Sequence, residues 1–180
     1  MRCETERSAL KITPFLWFES EAEAAALLYV SVFPNSRITR ITRYGEAGPG
    51  PAGEVMTVDF ELDGFAVTAL NGGPVHAHFS EAFSFAVLCD DQAEVDRCWE
   101  RLVAGGAPSQ CGWLKDRFGF SWQIVPRILP ELLSSDDPAR ARRAMQAMLT
   151  MTRLDSAALV AAADGRAGSD PGAARAHVSG

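Results

Sequence analysis

Along the chain, runs in which apolar and polar residues alternate give way to stretches in which apolar residues recur every three or four positions, and this succession occurs twice. In the first pass the strand-like ITPFLWF leads through Ser20 to Ala22, Ala25, Ala26, Tyr29, Val32 and Phe33, the spacing of one helix face. Ser20 with Glu23 three positions on is a capping-box signature and places the helix start at Ser20, while Pro34 and Asn35 stop the helix. Arg37 to Tyr44 reads as a strand, residues 45–53 as a glycine- and proline-rich loop, and Val55 to Leu62 as a second strand. Asp63 and Gly64 form a two-residue hairpin signal, and Phe65 to Leu70 returns before Asn71, Gly72, Gly73 and Pro74 break the chain.

In the second pass FSFAVLC leads through Asp91, the predicted cap, to Val95, Cys98, Trp99 and Leu102, with Gly105 as a left-handed stop. Short strands around Ser109 to Lys115 and the turn Asp116 to Gly119 precede a strand in which Phe120, Trp122 and Ile124 alternate with Ser121, Gln123 and Val125. A shift of 70 residues sets Phe15 on Phe85, Tyr29 on Trp99 and Pro14 on Ser84, an echo of pattern with little identity. The predicted fold class is α+β, with paired β-α-β-β-β modules at about 11–74 and 81–126. A C-terminal helical extension follows at about 128–163, in which Pro138 opens the longest helix. On that helix Ala141, Met145, Met148 and Thr152, with Leu149 adjoining, form the expected packing stripe. Residues 1–10 are expected to be a flexible N-terminus, and 164–180 a disordered tail because its Gly, Ala, Ser and Arg offer little apolar surface to offset ordering entropy. Together these make 11–163 a single domain.

Composition narrows the function classes. A formal charge of −6 leaves no basic footprint for a phosphate backbone, so no nucleic-acid partner is expected. No apolar run approaches the length of a membrane span, and the start MRCETERSAL lacks a secretory apolar stretch, which together read as a cytoplasmic protein. Cys3, Cys89, Cys98 and Cys111 show no CxxC spacing, and two of them lie on apolar faces, as buried thiols in a reducing compartment do.

The doubled β-α-β-β-β pattern resembles the vicinal oxygen chelate superfamily, which includes glyoxalases, extradiol dioxygenases and bleomycin-sequestering proteins. The segments ITPFLWF, VFPNSRI, RYGEAGPGP, TALNGGP and CGWLKDRFGFSWQIVP more closely resemble the PhnB-like family, whose members often carry the label 3-demethylubiquinone-9 3-methyltransferase. The resemblance spans about residues 11–165 and implies paired sheets around a cavity, and a homodimer. In metal-dependent relatives each module supplies a His or Glu near the start of its first strand and a Glu or Gln near the end of its last. The corresponding positions here are Thr13 or Pro14, Ser84, approximately Asn71, and Gln123, of which only Gln123 is of a ligand type. No metal and no cofactor are therefore expected. The glycine-rich segments also lack the strand-to-helix setting that holds a nucleotide-like methyl donor.

The expected function is binding of a small apolar or aromatic ligand without a metal. Gln123, Ser84 and Asn71 are the expected hydrogen-bonders, and Trp17, Trp113 and Trp122 the stacking surfaces. The alternative is an enzyme of the same superfamily, either of the metal-dependent glyoxalase or dioxygenase type, or one that transfers methyl to a ubiquinone-precursor-like hydroxyl. His76 and His78 fall in a connector that reads as a solvated loop, the alternative being metal binding or proton transfer with Glu81 as a carboxylate partner. Arg43, Tyr44 and Glu46, and the turn charges Lys115, Asp116 and Arg117, read first as water-facing groups, with the clamping of an anionic substrate by either group as the alternative.

Overall fold

The alternation in the first half resolves into a sheet with one covered face. In a computed structural model, which describes residues 12–166, this half comprises β1 (Phe15–Phe18), α1 (Ala22–Val32), β2 (Arg37–Arg43), β3 (Val55–Leu62) and β4 (Phe65–Asn71). The sheet order is β1-β4-β3-β2, with β1 parallel to β4 and the other pairs antiparallel. Leu16 and Phe18 of β1, Val58, Phe60 and Leu62 of β3, and Val67 and Ala69 of β4 are buried beneath α1. Ala22, Ala25 and Ala26 let the helix backbone approach this surface, and Tyr29 sets its ring 6.2 Å from that of Phe60. Positive φ at Asp63 (47°) and Gly64 (81°) gives the tight hairpin that the Asp-Gly pair predicted.

The second half repeats the plan as β5 (Phe85–Cys89), α2 (Gln92–Val103), β6 (Ala107–Pro108), β7 (Trp113–Lys115) and β8 (Ser121–Pro126), in the order β5-β8-β7-β6. Asp91 caps α2 by accepting from the Glu94 amide at 2.8 Å, as predicted. Val95, Cys98, Trp99 and Leu102 line the buried face of that helix against Leu114, Trp122 and Ile124. Phe83, Phe85, Phe120 and Trp122 join this core through edge-to-face pairs with ring centroids 5.0–5.6 Å apart. Contact density divides the chain into two compact units between His78 and Phe79.

α3 (Ile128–Leu133), α4 (Pro138–Leu149) and α5 (Ser156–Ala163) form a separate apolar cluster centred on Leu129, Leu132, Ala144, Leu154, Leu159 and Ala163. Gln92 ties this cluster to the start of α2. Its Nε2 donates to the Leu154 carbonyl at 3.1 Å, and its Oε1 accepts from the Ser156 amide and hydroxyl at 2.9 and 2.8 Å. The amides of Cys111 and Gly112 donate to the carbonyls of Met151 and Thr152. Gly112 has φ 82°, and a Cβ there would lie 2.6 Å from the Ile124 carbonyl oxygen and 2.9 Å from Leu154 Cδ1, so only glycine fits.

Four sequence expectations change. Helix α1 begins at Ala22, and its first amide is capped by Asn71 Oδ1 from β4 at 2.8 Å rather than by Ser20. A tertiary acceptor has taken the role of the local one. The 70-residue shift holds for Tyr29 and Trp99 but fails in the leading strands, where the α1-facing Leu16 and Phe18 answer to the α2-facing Val87 and Cys89. The turn before α2 is one residue shorter than that before α1, which moves the strands by one position and exchanges their faces. On α4 the buried position is Ala144, with Ala147 and Met148 beside it, while Met145 is 40% exposed. Asp116 is buried at 2% exposure rather than facing water. The expectations for residues 1–10 and 167–180 lie outside the described residues.

Asp116 Oδ1 accepts from the amides of Phe118 and Phe120 at 2.8 and 3.1 Å, and Oδ2 accepts from Trp122 Nε1 at 2.9 Å. Asp116→Ala would remove three hydrogen bonds from this turn and is expected to cost about 3 kcal/mol, measurable as a lowered urea midpoint. Gln92→Ala is expected to cost about 1–2 kcal/mol. Hydrogen exchange should show faster opening of α5 with α1 unchanged.

Candidate functional site

Each sheet has a second face, away from its helix, and the two differ in how fully their polar groups are satisfied. In the first unit this face carries Thr42, Thr57, Asp59 and Thr68. The Thr42 and Thr57 hydroxyls bond each other, Asp59 Oδ1 accepts from Thr68 Oγ1 at 2.7 Å, and Asp59 Oδ2 meets Arg40 Nε at 2.8 Å. These groups consume one another.

In the second unit the strand register sets Lys115 opposite Ser121, and Trp113 opposite Gln123, on the face away from α2. Gln123 Nε2 donates to Ser84 Oγ at 2.9 Å, so these two predicted residues do meet. Ser121 is 1% exposed and its Oγ has no hydrogen-bond partner, a condition that ordinarily costs about 1–3 kcal/mol. Lys115 Nζ lies 2.6 Å from Glu81 Oε1. The ammonium, by direct hydrogen bond and by its charge, holds the Glu81 carboxyl below the usual carboxylate range. Glu81, Pro108, Ser109, Trp113, Lys115 and Ser121 line a cleft of about 230 Å³.

The other predicted residues have structural partners. Trp122 lies within the aromatic core on the α2 side of the sheet and does not line the cleft, which corrects its assignment as a stacking residue. Asn71 faces α1, where its side chain caps the helix and donates to the Val55 carbonyl at 3.1 Å. The β4 residue that occupies the place of Gln123 is Thr68, which the sequence reading passed over because the one-residue register change was invisible to it. Trp17 donates to the Gly73 carbonyl at 2.8 Å and meets the exposed His76 edge to face at 5.1 Å.

At the positions singled out in the sequence, the first unit offers the hydroxyls of Thr13 and Thr68, and the second the hydroxyl of Ser84 and the amide of Gln123. Such neutral oxygens without a carboxylate or imidazole do not fit a divalent cation. Among the described residues no group of three or more His, Cys, Asp or Glu side chains is placed to hold one. The glycine loop after β2 is shaped by Tyr44. A Cβ at Gly48 or Gly50 would lie 2.9 or 2.5 Å from its ring, and its hydroxyl donates to the Asn71 carbonyl at 2.5 Å. These glycines make room for an aromatic ring in a loop that joins two strands.

Cys89 and Cys98 are buried core thiols. Their mutual hydrogen bond lowers Cys98 below the ordinary thiol range and, together with burial, pushes Cys89 far above it. Enclosure keeps both from acting as nucleophiles. A larger cleft of about 560 Å³ beside α5 includes Asp90, Gln92, Ser156 and Arg166, but Gln92 and Ser156 bond each other and Asp90 pairs with Arg127. Among the described residues no helix is long and apolar enough to cross a membrane.

Residues 10–125 match the family described as 3-demethylubiquinone-9 3-methyltransferase. A PhnB protein from Bacillus cereus is 36% identical, with a TM-score of 0.60 over 65% of this chain and 99% of that one. A protein from Pseudomonas aeruginosa shares the fold at 23% identity and a TM-score of 0.55, over 66% of this chain and 98% of that one. No curated protein matches the chain significantly.

Removing the Ser121 hydroxyl eliminates an unpaired buried group without opening a large cavity. Ser121→Ala is therefore expected to leave stability unchanged or raise it by about 1 kcal/mol, read from thermal or urea unfolding.

Proposed function

From a chain that belongs to the PhnB-like, 3-demethylubiquinone-9 3-methyltransferase family, within the vicinal oxygen chelate fold, we propose a protein that binds a small aromatic ligand without a metal. The observation that carries this reading is the face of the second sheet away from α2. There Trp113 stands across from Gln123, beside a cleft with an unsatisfied hydroxyl at Ser121. An aromatic surface with a few convergent polar groups is the usual composition of a small-molecule site. Trp113 supplies the stacking surface and Gln123, oriented by Ser84, supplies the hydrogen bond.

The neutral donor set at the superfamily's ligand positions supports metal-independent binding, and the Tyr44-filled glycine loop gives no support to a methyl-donor site. The acidic charge of −6 supports a role apart from nucleic acid, and the buried free thiols support a reducing cytoplasmic setting. The working unit in this reading is a homodimer.

In a thermal-shift screen, single-ring aromatic compounds are expected to raise the melting temperature equally with and without chelator. Trp113→Ala and Gln123→Ala should each weaken the best ligand about tenfold by calorimetry, equivalent to about 1.4 kcal/mol. S-Adenosylmethionine should give no binding heat. Unchanged affinity in both variants, or a shift abolished by chelator, would refute the assignment.

A further inference from the structure

We propose that the β7–β8 cleft selects aromatic acids, the ligand carboxylate taking the place of Glu81 on Lys115 and accepting a second hydrogen bond from Ser121 Oγ. This rests on the reading of the Trp113 face as a small-molecule site and names the class of ligand it takes.

Three observations converge. Ser121 Oγ is a buried hydroxyl with no partner, in a residue that lines the cleft. Lys115 faces it directly across the β7–β8 ladder, so an ammonium and an unpaired hydroxyl share one face at adjacent strand positions. Both groups donate, and a carboxylate, which only accepts, complements them better than an amide or alcohol. The third is Glu81, whose own carboxylate already sits 2.6 Å from Lys115 Nζ.

Glu81 shows that a carboxylate fits this lysine, and it is placed to yield. Its side chain is 64% exposed, and it belongs to the stretch between β4 and β5, outside any helix or strand. An ion pair so open to water is weakly held, so exchange of one carboxylate for another is easy. Glu81 can return to solvent while the incoming acid keeps the lysine contact and gains Ser121 Oγ and the Trp113 ring, neither of which Glu81 uses among the described contacts. Trp113, two residues from Lys115 on the same face of the same strand, is placed to lie along a ring carried by that acid.

Calorimetric titration with benzoate, its neutral isostere benzamide, and acetate separates the parts of the proposal. Benzoate is expected to bind about tenfold more tightly than either of the others. Glu81→Gln, which removes the competing carboxylate, should strengthen benzoate several-fold and leave benzamide unchanged. Lys115→Met and Ser121→Ala should each erase the preference for benzoate over benzamide, with unfolding midpoints confirming that both variants remain folded.

If benzoate and benzamide bind equally and both are lost in Trp113→Ala, the acid proposal is overturned while the aromatic site stands. If neither binds, or binding is indifferent to Trp113→Ala and Trp113→Phe, the site reading fails and takes the proposal with it. A loss of benzoate affinity in Glu81→Gln would overturn the exchange at Lys115.

Discussion

The second half of the chain is organised around the buried carboxylate of Asp116. Two backbone amides and the Trp122 indole converge on it, which closes the β7–β8 turn and fixes the direction of the strand that follows. A carboxylate is suited to this place because its two oxygens accept all three bonds and no uncompensated donor is brought in. Once Trp122 is held on the α2 side, the pleat turns Ser121 and Gln123 to the other face, opposite Lys115 and Trp113. The cleft thus depends on a group that takes no part in lining it.

What the sequence made legible was whatever depends on neighbours along the chain. The alternation of Phe120, Trp122 and Ile124, the Asp91 cap and the Asp63-Gly64 turn all follow from local spacing, and all three occur as read. Misreadings arose where a distant group intervened. Ser20 with Glu23 has the form of a cap, yet Asn71 from another strand supplies the acceptor. Asp116 and its neighbours resemble a solvated charged turn in one dimension, and only folding brings the Trp122 indole to Asp116. A turn shorter by one residue shifted the correspondence of the strands and concealed Thr68 as the counterpart of Gln123.

The helices after β8 lie beyond the stretch that matches the family, and they are anchored by a small number of specific bonds. Gln92 is an unusual anchor because it sits at the first position of α2, where its side chain reaches the Leu154 carbonyl and the start of α5. Gly112 provides the complementary fit, since its bare Cα allows Leu154 to pack against the β6–β7 turn. Such fastening allows an added element with its own apolar cluster to be held against the module without covering the strands' other face by necessity. In the sequence it is legible as helices but not as a docked cluster, because Ala144, the one fully enclosed α4 residue, carries too weak an apolar signal to mark the face against the larger Met145 and Leu149.

A family label names a reaction, whereas the groups in this chain define what can be bound. The glycines after β2 accommodate Tyr44, and the oxygens of Ser84, Gln123 and Thr68 are neutral. The glycine loop runs from strand to strand rather than into a helix, and the neutral oxygens lack the charged ligands that metal chemistry would draw upon. The second sheet departs from this pattern of self-satisfaction. Burying a hydroxyl without a partner is a cost that folding alone does not recover, and Ser121 incurs it beside a lysine already matched to a carboxylate. Where the first sheet spends its polar groups on one another, the second retains an unused donor next to an ion pair open to water, and the proposed site rests on that difference.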